Sequence, residues 1–356
     1  MSLLHFDGFR SYANGTDYNQ SLSELLASQT WSGIFGFTFG TAYSRFGDPD
    51  RGAKADYSGE FLGFELLGTQ SPSTVIFGVV FQKYEAGAPT TSYLAPLIRM
   101  MDSIASGNKH INICLNASQN FAVYRSGTLL GTSSGKVVVD GTWHTLEAKV
   151  FFDDSVGTVE LRLDGVQILN LANQDTLVGA NAYARSFQVG VIYVNKTTYF
   201  DCIYLCDTAG SAPQNDFLGD VRCDVIRPDG AGNQTDFSPS AGANWENVDD
   251  ITPDDVATNN SDGTVDDQDS YALPSLAVGG TIFGVKPGIV VAKDDAGAKG
   301  CKILTRSNIT FYKSTEVAPS TTYGRFSKVY QDNPDDSAAW EEADVNGMEV
   351  GVEVSS

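Results

Sequence analysis

The sequence has few cysteines, few histidines and few basic residues, and it lacks any long apolar run. Its 356 residues include 5 cysteines, 3 histidines and 23 Lys and Arg against 44 Asp and Glu. No segment approaches the roughly 20 apolar residues of a membrane-spanning helix. The start, MSLLHFDGFR, lacks the basic region and apolar core of a signal peptide. We therefore expect neither membrane insertion nor a cleaved leader.

The shortage of basic residues gives the chain a formal net charge of −21. Binding to nucleic-acid phosphates requires Lys and Arg, so we expect no nucleic-acid partner. The acidic excess is typical of a soluble protein that stays apart from other polyanions.

Five cysteines are an odd number and too few for a disulfide scaffold. Cys202 and Cys206 are four apart in a strand-like run, so they share a face but are too distant to be bridged without a bend. Cys114, Cys223 and Cys301 are isolated, and no CxxC motif indicates zinc. We predict free, mostly buried thiols made in a reducing cytoplasm.

What is present in quantity is strand periodicity, most clearly in GTWHTLEAKVFFDDSVGTVELRLDGVQIL (141–169). Apolar residues alternate with polar ones in two runs, which predicts two strands with one buried face each. Asp164-Gly165 predicts a two-residue hairpin turn. Glu147 and Lys149 are expected on the exposed face, opposite Arg162 and Glu160.

Short strand-like runs separated by turn clusters continue to about residue 207 and resume after residue 220. This spacing predicts an all-β fold made of sandwiches. We predict a first domain over 1–210, a linker over 211–220 and a second, smaller β-sandwich module over 221–356. The polar stretch 229–270 predicts a long loop within that module. Residues 21–29 predict either one short helix or an irregular arm, and a short helix is expected after a cap at Ser337.

Two resemblances extend this interpretation. The run from Trp143-His-Thr-Leu through VELRLDG resembles the concanavalin A-like lectin and laminin-G superfamily, which implies a jelly roll over about 1–207. Further segments together resemble a group of tailed-bacteriophage virion structural proteins: HFDGFRSYA, YFDCIYLCDTAG, the run from NDFLGDVRC to WENVDD, and NPDDSAAWEEADVNGMEVGVEV. Asp201-Cys202 departs from the Asp-Asp pair expected there, so no cation-binding role of the second Asp is carried over.

The second resemblance implies a virion component made in the bacterial host cytoplasm, in the tail, fibre or adhesin apparatus. We expect a non-enzymatic protein that assembles with other virion proteins and with itself, trimers fitting a fibre. One alternative is a carbohydrate-binding adhesin that contacts a host-surface glycan. Another is a capsid decoration protein on the head surface.

The carboxylate spacing gives no support for glycoside hydrolysis, which needs two acids on one face. Glu60 and Glu65 are five apart and fall on opposite faces of an ideal strand, while Glu147 and Glu160 stand alone. The sequence contains no GxSxG elbow and no phosphate-binding glycine motif. The three histidines are interpreted as surface or strand residues: His5, His110 and His144. We therefore assign no catalytic, cofactor-binding or metal residue.

Two weaker candidates for ligand binding remain. Calcium could be held by acidic loops, although their spacing does not match an EF-hand and solvated loops are the alternative. The acids concerned are Asp262, Asp266, Asp267 and Asp269, with Asp153 and Asp154 as a second set. A sugar site would need aromatic rings beside amides at one end of the sandwich. The candidates are Tyr183, Tyr193, Tyr199, Asn181 and Asn195, with Tyr193 and Tyr199 alternatively in the core or on a sheet face.

Overall fold

The computed structural model of the chain consists almost entirely of strands and turns. It describes residues 2–10, 33–35, 37–46, 52–56, 61–66, 70–83, 96–103, 107–116, 118–190, 197–251 and 253–355. The predicted helix or irregular arm at 21–29 lies outside these residues. The chain forms two compact units, with the division after Asp224. Within the described residues, no helix has the length and apolar character to cross a membrane.

The first unit contains fifteen described strands. They are β1 (Leu3–Asp7), β2 (Gly33–Phe35), β3 (Thr38–Gly40), β4 (Gly52–Ala55), β5 (Phe61–Glu65), β6 (Thr74–Lys83), β7 (Ile98–Met101), β8 (Lys109–Leu115), β9 (Phe121–Arg125), β10 (Thr128–Thr132), β11 (Trp143–Phe151), β12 (Gly157–Leu163), β13 (Val166–Gln174), β14 (Ser186–Gly190) and β15 (Thr198–Asp207).

These strands form two antiparallel sheets. Sheet A has eight strands in the order β13-β12-β11-β6-β15-β4-β3, with β1 also paired to β15. Sheet B has seven strands in the order β10-β9-β8-β7-β14-β5-β2. The pairing of strands distant in sequence, such as β6 with β15, is expected of a jelly roll. The prediction of an all-β jelly-roll sandwich is confirmed.

Aromatic rings fill the space between the two sheets. Phe77 of β6 lies 6.1 Å from Phe64 of β5 and 5.8 Å from Phe187 of β14, measured between ring centroids. Phe81 of β6 meets Phe121 of β9 edge-on at 6.3 Å. All five rings are at most 2% exposed. The inward residues of both sheets thus share one core, as the alternation of apolar residues requires.

The β11–β12 hairpin region follows its sequence pattern closely. Leu146, Ala148 and Val150 are 0% exposed. The turn between β12 and β13 has φ of 49° at Asp164 and 77° at Gly165, the two positive values that a type I′ turn needs. The predicted register is also present, with 147 opposite 162 and 149 opposite 160.

Glu147 is an exception, because its expected position on an exposed face is wrong. It is 1% exposed. It shares a cross-strand row with Gly78 of β6 and Tyr204 of β15. A Cβ on Gly78 would lie 2.0 Å from the Tyr204 ring, so glycine is what lets that ring cross the sheet. The Tyr204 hydroxyl donates to the Glu147 carboxylate, and the Gly219 N–H donates to the same carboxylate at 2.7 Å.

The segment after β15, which includes the predicted linker 211–220, covers this outer face of sheet A. The Phe217 ring lies 4.1 Å from the Arg162 guanidinium. The Lys149 ammonium donates to Asp216 at 3.1 Å, and not to Glu160, the residue opposite it on the neighbouring strand. The segment therefore lies within the first unit, and it buries the one carboxylate that β11 directs outward at 147.

The second unit also consists mainly of strands. They are β16 (Gly230–Thr235), β17 (Ser238–Pro239), β18 (Asn260–Ser261), β19 (Gln268–Ala272), β20 (Gly288–Val291), β21 (Gly300–Ser307), β22 (Thr310–Lys313), β23 (Gly324–Ser327) and β24 (Glu349–Ser355). The main sheet has the order β16-β19-β24-β21-β22. Two further two-stranded sheets pair β17 with β18 and β20 with β23.

The polar stretch 229–270 differs from the predicted loop, because it contributes strands β16 to β18 and enters β19. Asp269 and Ser270 of β19 are 0% and 1% exposed. Side-chain hydrogen bonds replace apolar contacts here: the Asp269 carboxylate accepts from Asn244 and from the Tyr271 hydroxyl, both at 2.8 Å. Polar composition therefore hid a buried strand, since buried polar groups are tolerated when they are hydrogen-bonded.

The second unit has one short described α-helix, α1 (Glu342–Asn346), and a 3₁₀ helix at Asn244–Asn247. Helix α1 begins after Glu341, whose N–H donates to the Asp344 carboxylate at 2.9 Å. The predicted cap, Ser337, instead occupies a turn with φ of 62°. Trp340 lies between Ser337 and the helix. Its buried ring packs in the core of this unit with Tyr330, Val345 and Met348.

Candidate functional site

A cleft of about 350 Å³ lies at one end of sheet A in the first unit. Its lining comes from four separate parts of the chain: Arg45, Trp143, Thr145, Asp164, Gly165 and Asp220. We call this the Trp143 cleft. It combines a half-buried aromatic ring, two carboxylates and one guanidinium within a single concave surface.

The β11 strand and the β12–β13 turn place one side of the cleft. Trp143 begins β11 and packs over a small cluster of Val80, Cys202 and Cys223. The turn brings Asp164 back over β11, where its carboxylate accepts from the Thr145 N–H at 2.8 Å. The backbone conformation of the turn thus fixes the position of this acid.

Two further side chains, Lys136 and His144, hold the Asp164 carboxylate in place. This carboxylate lies 2.6 Å from the Lys136 ammonium and 2.8 Å from His144 Nδ1. Partial burial tends to raise the pKa of Asp164, but hydrogen bonds from Lys136, His144 and the Thr145 N–H outweigh it and lower that pKa below its usual value. Asp164 is therefore ionised at neutral pH.

Arg45 and Asp220 form the other side of the cleft. Both guanidinium nitrogens of Arg45 donate to the Asp220 carboxylate, a bidentate arrangement that fixes orientation. The Thr145 hydroxyl also donates to Asp220 at 3.0 Å. These hydrogen bonds, led by the one from Arg45, lower the pKa of Asp220. The backbone N–H of Arg45 donates to the Asp201 carboxylate at 2.8 Å.

A distortion in β15 explains why the Asp201 side chain can accept this hydrogen bond. The register of β15 against β6 shifts between Phe200 and Ile203, where β15 has one extra residue. Such a bulge redirects side chains relative to the regular alternation. Asp201 consequently accepts from Arg45, and Cys202 turns toward Cys223.

This arrangement suits recognition of a hydroxylated ligand. Ionised carboxylates accept hydrogen bonds from hydroxyl groups, the guanidinium donates them, and an indole ring offers an apolar face. Both carboxyls of the Trp143 cleft have lowered pKa values, which favours their ionised, hydrogen-bond-accepting form.

The histidines all lie in strands and are buried. His144 is 4% exposed, and its Nε2 accepts from the Val139 N–H at 3.0 Å while Nδ1 faces Asp164. Both ring nitrogens are thereby occupied, so His144 positions Asp164. His110 Nδ1 accepts from Val178 N–H at 2.9 Å, and burial lowers the pKa of His110. His5 stacks on Phe64 at 4.2 Å.

Of the predicted sugar-site residues that the structure describes, Asn181 and Tyr183 are neighbours, whereas Tyr199 has different partners. Asn181 donates to Asp102 at 2.9 Å, and the Tyr183 N–H donates to the Asn181 carbonyl. Tyr199 stacks instead on Tyr43, 5.5 Å away, next to sheet A. Tyr193 and Asn195 lie outside the described residues, as does Glu60 of the carboxylate analysis.

The acidic loops proposed for calcium have local structural roles. Asp153 caps its own turn by accepting from the N–H groups of Ser155 and Val156, both at 2.8 Å. Asp262 accepts from the Thr264 N–H at 2.6 Å, and Asp269 is buried in the hydrogen bonds described above. Across the part of the chain that the structure describes, no three acidic, histidine or cysteine side chains are grouped to hold a metal ion.

The residues of the Trp143 cleft carried no usable signal in the sequence. Arg45, Trp143, Asp164 and Asp220 are separated by up to 175 positions. The sequence predicts Asp164 as a turn former, a role that it also has, and Asp220 as part of a linker, whereas Asp220 lies in the segment that covers sheet A.

Comparisons with known proteins concern the fold. No protein-family model matches the chain, and no curated protein is similar to it in sequence. An endo-beta-1,4-glucuronan lyase from the fungus Trichoderma reesei is 14% identical with a TM-score of 0.34, over 49% of this chain and 90% of that one. The catalytic domain of a glycoside hydrolase family 131 protein from Coprinopsis cinerea is 12% identical, with a TM-score of 0.34, over 62% and 99%.

A third similar structure is a carbohydrate esterase from a Shiga toxin-encoding bacteriophage, 16% identical with a TM-score of 0.34, over 57% of this chain and 99% of that one. All three are named as enzymes that act on carbohydrates. The expectation of a non-enzymatic chain is corrected by this finding, because the similar structures are enzymes. At these identities their activities are not transferred to this chain.

Proposed function

We propose that the first unit binds a carbohydrate in the Trp143 cleft. The observation that carries this proposal is the placement of a half-buried indole beside two ionised carboxylates and a fixed guanidinium. A sugar ring presents C–H groups on its faces and hydroxyl groups at its edges. The indole complements the former, and Asp164, Asp220 and Arg45 complement the latter.

The size and rigidity of the cleft support the same proposal. Its volume of about 350 Å³ is at the lower end of the range for small-molecule sites, about 300–1,000 Å³. Asp164 and Asp220 each accept several hydrogen bonds from the protein. A polar site whose groups are already oriented loses less entropy when a ligand binds.

The experiment is glycan-array screening of the full chain, followed by titration of the best glycan with tryptophan fluorescence as the readout. Trp143→Ala should weaken binding about tenfold or more, because it removes the aromatic platform. Trp143→Phe should recover part of that loss. Asp220→Asn should weaken binding while the fold is retained.

Trp245→Ala is the matched control, since Trp245 is half-buried, belongs to the second unit and does not line the cleft. Recovering the glycan after titration, intact or shortened, distinguishes binding alone from binding with turnover. The proposal fails if no glycan binds, or if Trp143→Ala and Trp245→Ala leave the affinity equally unchanged.

A finer proposal places this binding unit in a tailed-phage virion, where it would help attachment to a host-surface glycan. It is supported by the resemblance of the segments near Asp201, Asp220 and Trp340 to virion structural proteins. Assembly with other virion proteins and with copies of itself belongs to the same proposal, in the tail or as a decoration of the capsid. Mass spectrometry of purified particles tests it, and absence of the chain from those particles would rule it out.

A further inference from the structure

Two cysteines that are 21 positions apart in sequence are neighbours in the first unit. Cys202 lies in β15 and Cys223 in the segment that covers sheet A. The Cys223 N–H donates to Cys202 Sγ at 3.0 Å, which brings the two residues into direct contact. They are 1% and 8% exposed and share a small apolar cluster with Val80.

This proximity corrects the interpretation of Cys223 as isolated. The bulge in β15 changes the direction of Cys202, which a regular strand alternation does not predict. Gly8 contributes from the other side: a Cβ there would lie 2.6 Å from the Cys223 Cβ. Glycine at this position allows Cys223 to approach the sheet closely.

We propose that Cys202 and Cys223 form a disulfide when the folded protein meets a disulfide oxidant. One thiol, as its thiolate, attacks the sulfur of a small-molecule disulfide and releases one molecule of reduced thiol. The second cysteine then attacks the protein sulfur of the mixed disulfide and releases the second thiol. The two cysteines lose two electrons and two protons in total, and the oxidant takes them up.

The burial of the pair determines its rate. The adjacent Cys223 side chain and burial raise the pKa of the Cys202 thiol, so little thiolate is present at neutral pH. Exchange therefore requires local opening of the 221–224 segment. In a reducing compartment the pair stays as thiols, and in an oxidising one it closes slowly.

The bond would close a loop that includes Asp220 of the Trp143 cleft. Cross-linking restricts the unfolded chain and so stabilises the folded one. The inference does not depend on carbohydrate binding, because it rests on the contact between Cys202 and Cys223 alone.

The test uses the full chain, first reduced and then incubated with oxidised glutathione. After alkylation and digestion, mass spectrometry should find the peptides of Cys202 and Cys223 linked, with loss of two hydrogen atoms in mass. Thiol titration in denaturant should find two fewer thiols. The melting temperature of the first unit should rise by roughly 5–10 °C for a loop of this length.

Cys202→Ala and Cys223→Ala should each abolish the link and the temperature shift. Cys206→Ala should keep both, because Cys206 is a buried cysteine of the same strand. Glutathione adducts or other cysteine pairings in place of the link would overturn the inference. So would a link that leaves the melting temperature unchanged or lowers it. The mapping on the unsubstituted chain stands even if a variant fails to fold.

Discussion

Replacing Glu147 by alanine should destabilise the first unit far more than a strand-surface position would suggest. The Glu147 carboxylate is buried and accepts hydrogen bonds from the Tyr204 hydroxyl and the Gly219 N–H. Truncation removes the acceptor and leaves the Tyr204 hydroxyl and the Gly219 N–H without it. Leaving a buried donor unpaired costs its full desolvation free energy.

The magnitude follows from these two contacts. A hydrogen bond to a charged group contributes about 1.5–3 kcal/mol. Two of them, reduced by the water that can enter the space left by the side chain, predict a loss of about 3–4 kcal/mol in the free energy of unfolding. For a unit of this size, that lowers the melting temperature by roughly 6–15 °C. Glu147→Gln, which keeps an acceptor at the same place, should cost about 1–2 kcal/mol.

Differential scanning calorimetry of the full chain measures this effect, with two transitions expected for two units. Leu161→Ala, a truncation in the core of β12, identifies the transition of the first unit. Glu160→Ala is the matched control: Glu160 pairs with Arg162 at 2.9 Å, is partly exposed and should cost less than about 1 kcal/mol. Equal losses for Glu147→Ala and Glu160→Ala would refute the reasoning.

Two further predictions concern charged groups. Glu353 of β24 is buried and accepts from Lys302, Lys313 and Gln268; although burial raises its pKa, these hydrogen bonds outweigh burial and lower it. Glu353→Gln should therefore cost about 2–4 kcal/mol at neutral pH. In urea unfolding, this loss should be complete above the unfolded pKa of about 4.3 and disappear as the pH falls through the lower folded value; a loss that persists at low pH would contradict it. Asp164→Asn should leave stability within about 1 kcal/mol, since Asn tolerates positive φ, whereas Asp164→Ala should cost about 1–3 kcal/mol; equal melting temperatures of the two variants would contradict this.

Periodicity was sufficient to predict the fold class because the buried faces of β11 and β12 follow it without interruption. Leu146, Ala148 and Val150 are buried as their spacing requires, and the turn at Asp164-Gly165 has the backbone angles that its residues favour. Rules based on neighbouring residues succeed here because these side chains are buried, or turn, as their own positions in the strand and hairpin require. The resulting prediction reaches the sandwich and its hairpin but not what covers the outer face of the sheet.

The failures arise where distant segments meet. Glu147 has the spacing of an exposed residue, and its burial depends on a segment about 70 positions later. Asp269 lies in a polar stretch and is buried because Asn244 and Tyr271 satisfy it. The Trp143 cleft depends on Arg45 and Asp220, and their pairing could not be inferred from either neighbourhood. Long-range contacts of this kind leave no periodic trace in the sequence.

The covering segment also determines where the chain can be cut for study. A fragment ending at residue 210 would keep all fifteen strands of the sandwich but would lack Phe217, Gly219 and Asp220. It would expose the Glu147 carboxylate to solvent and remove Asp220 from the Trp143 cleft. It would also lack Cys223 of the cysteine pair. Dissection of the protein should therefore retain residues through Asp224, where the first unit ends.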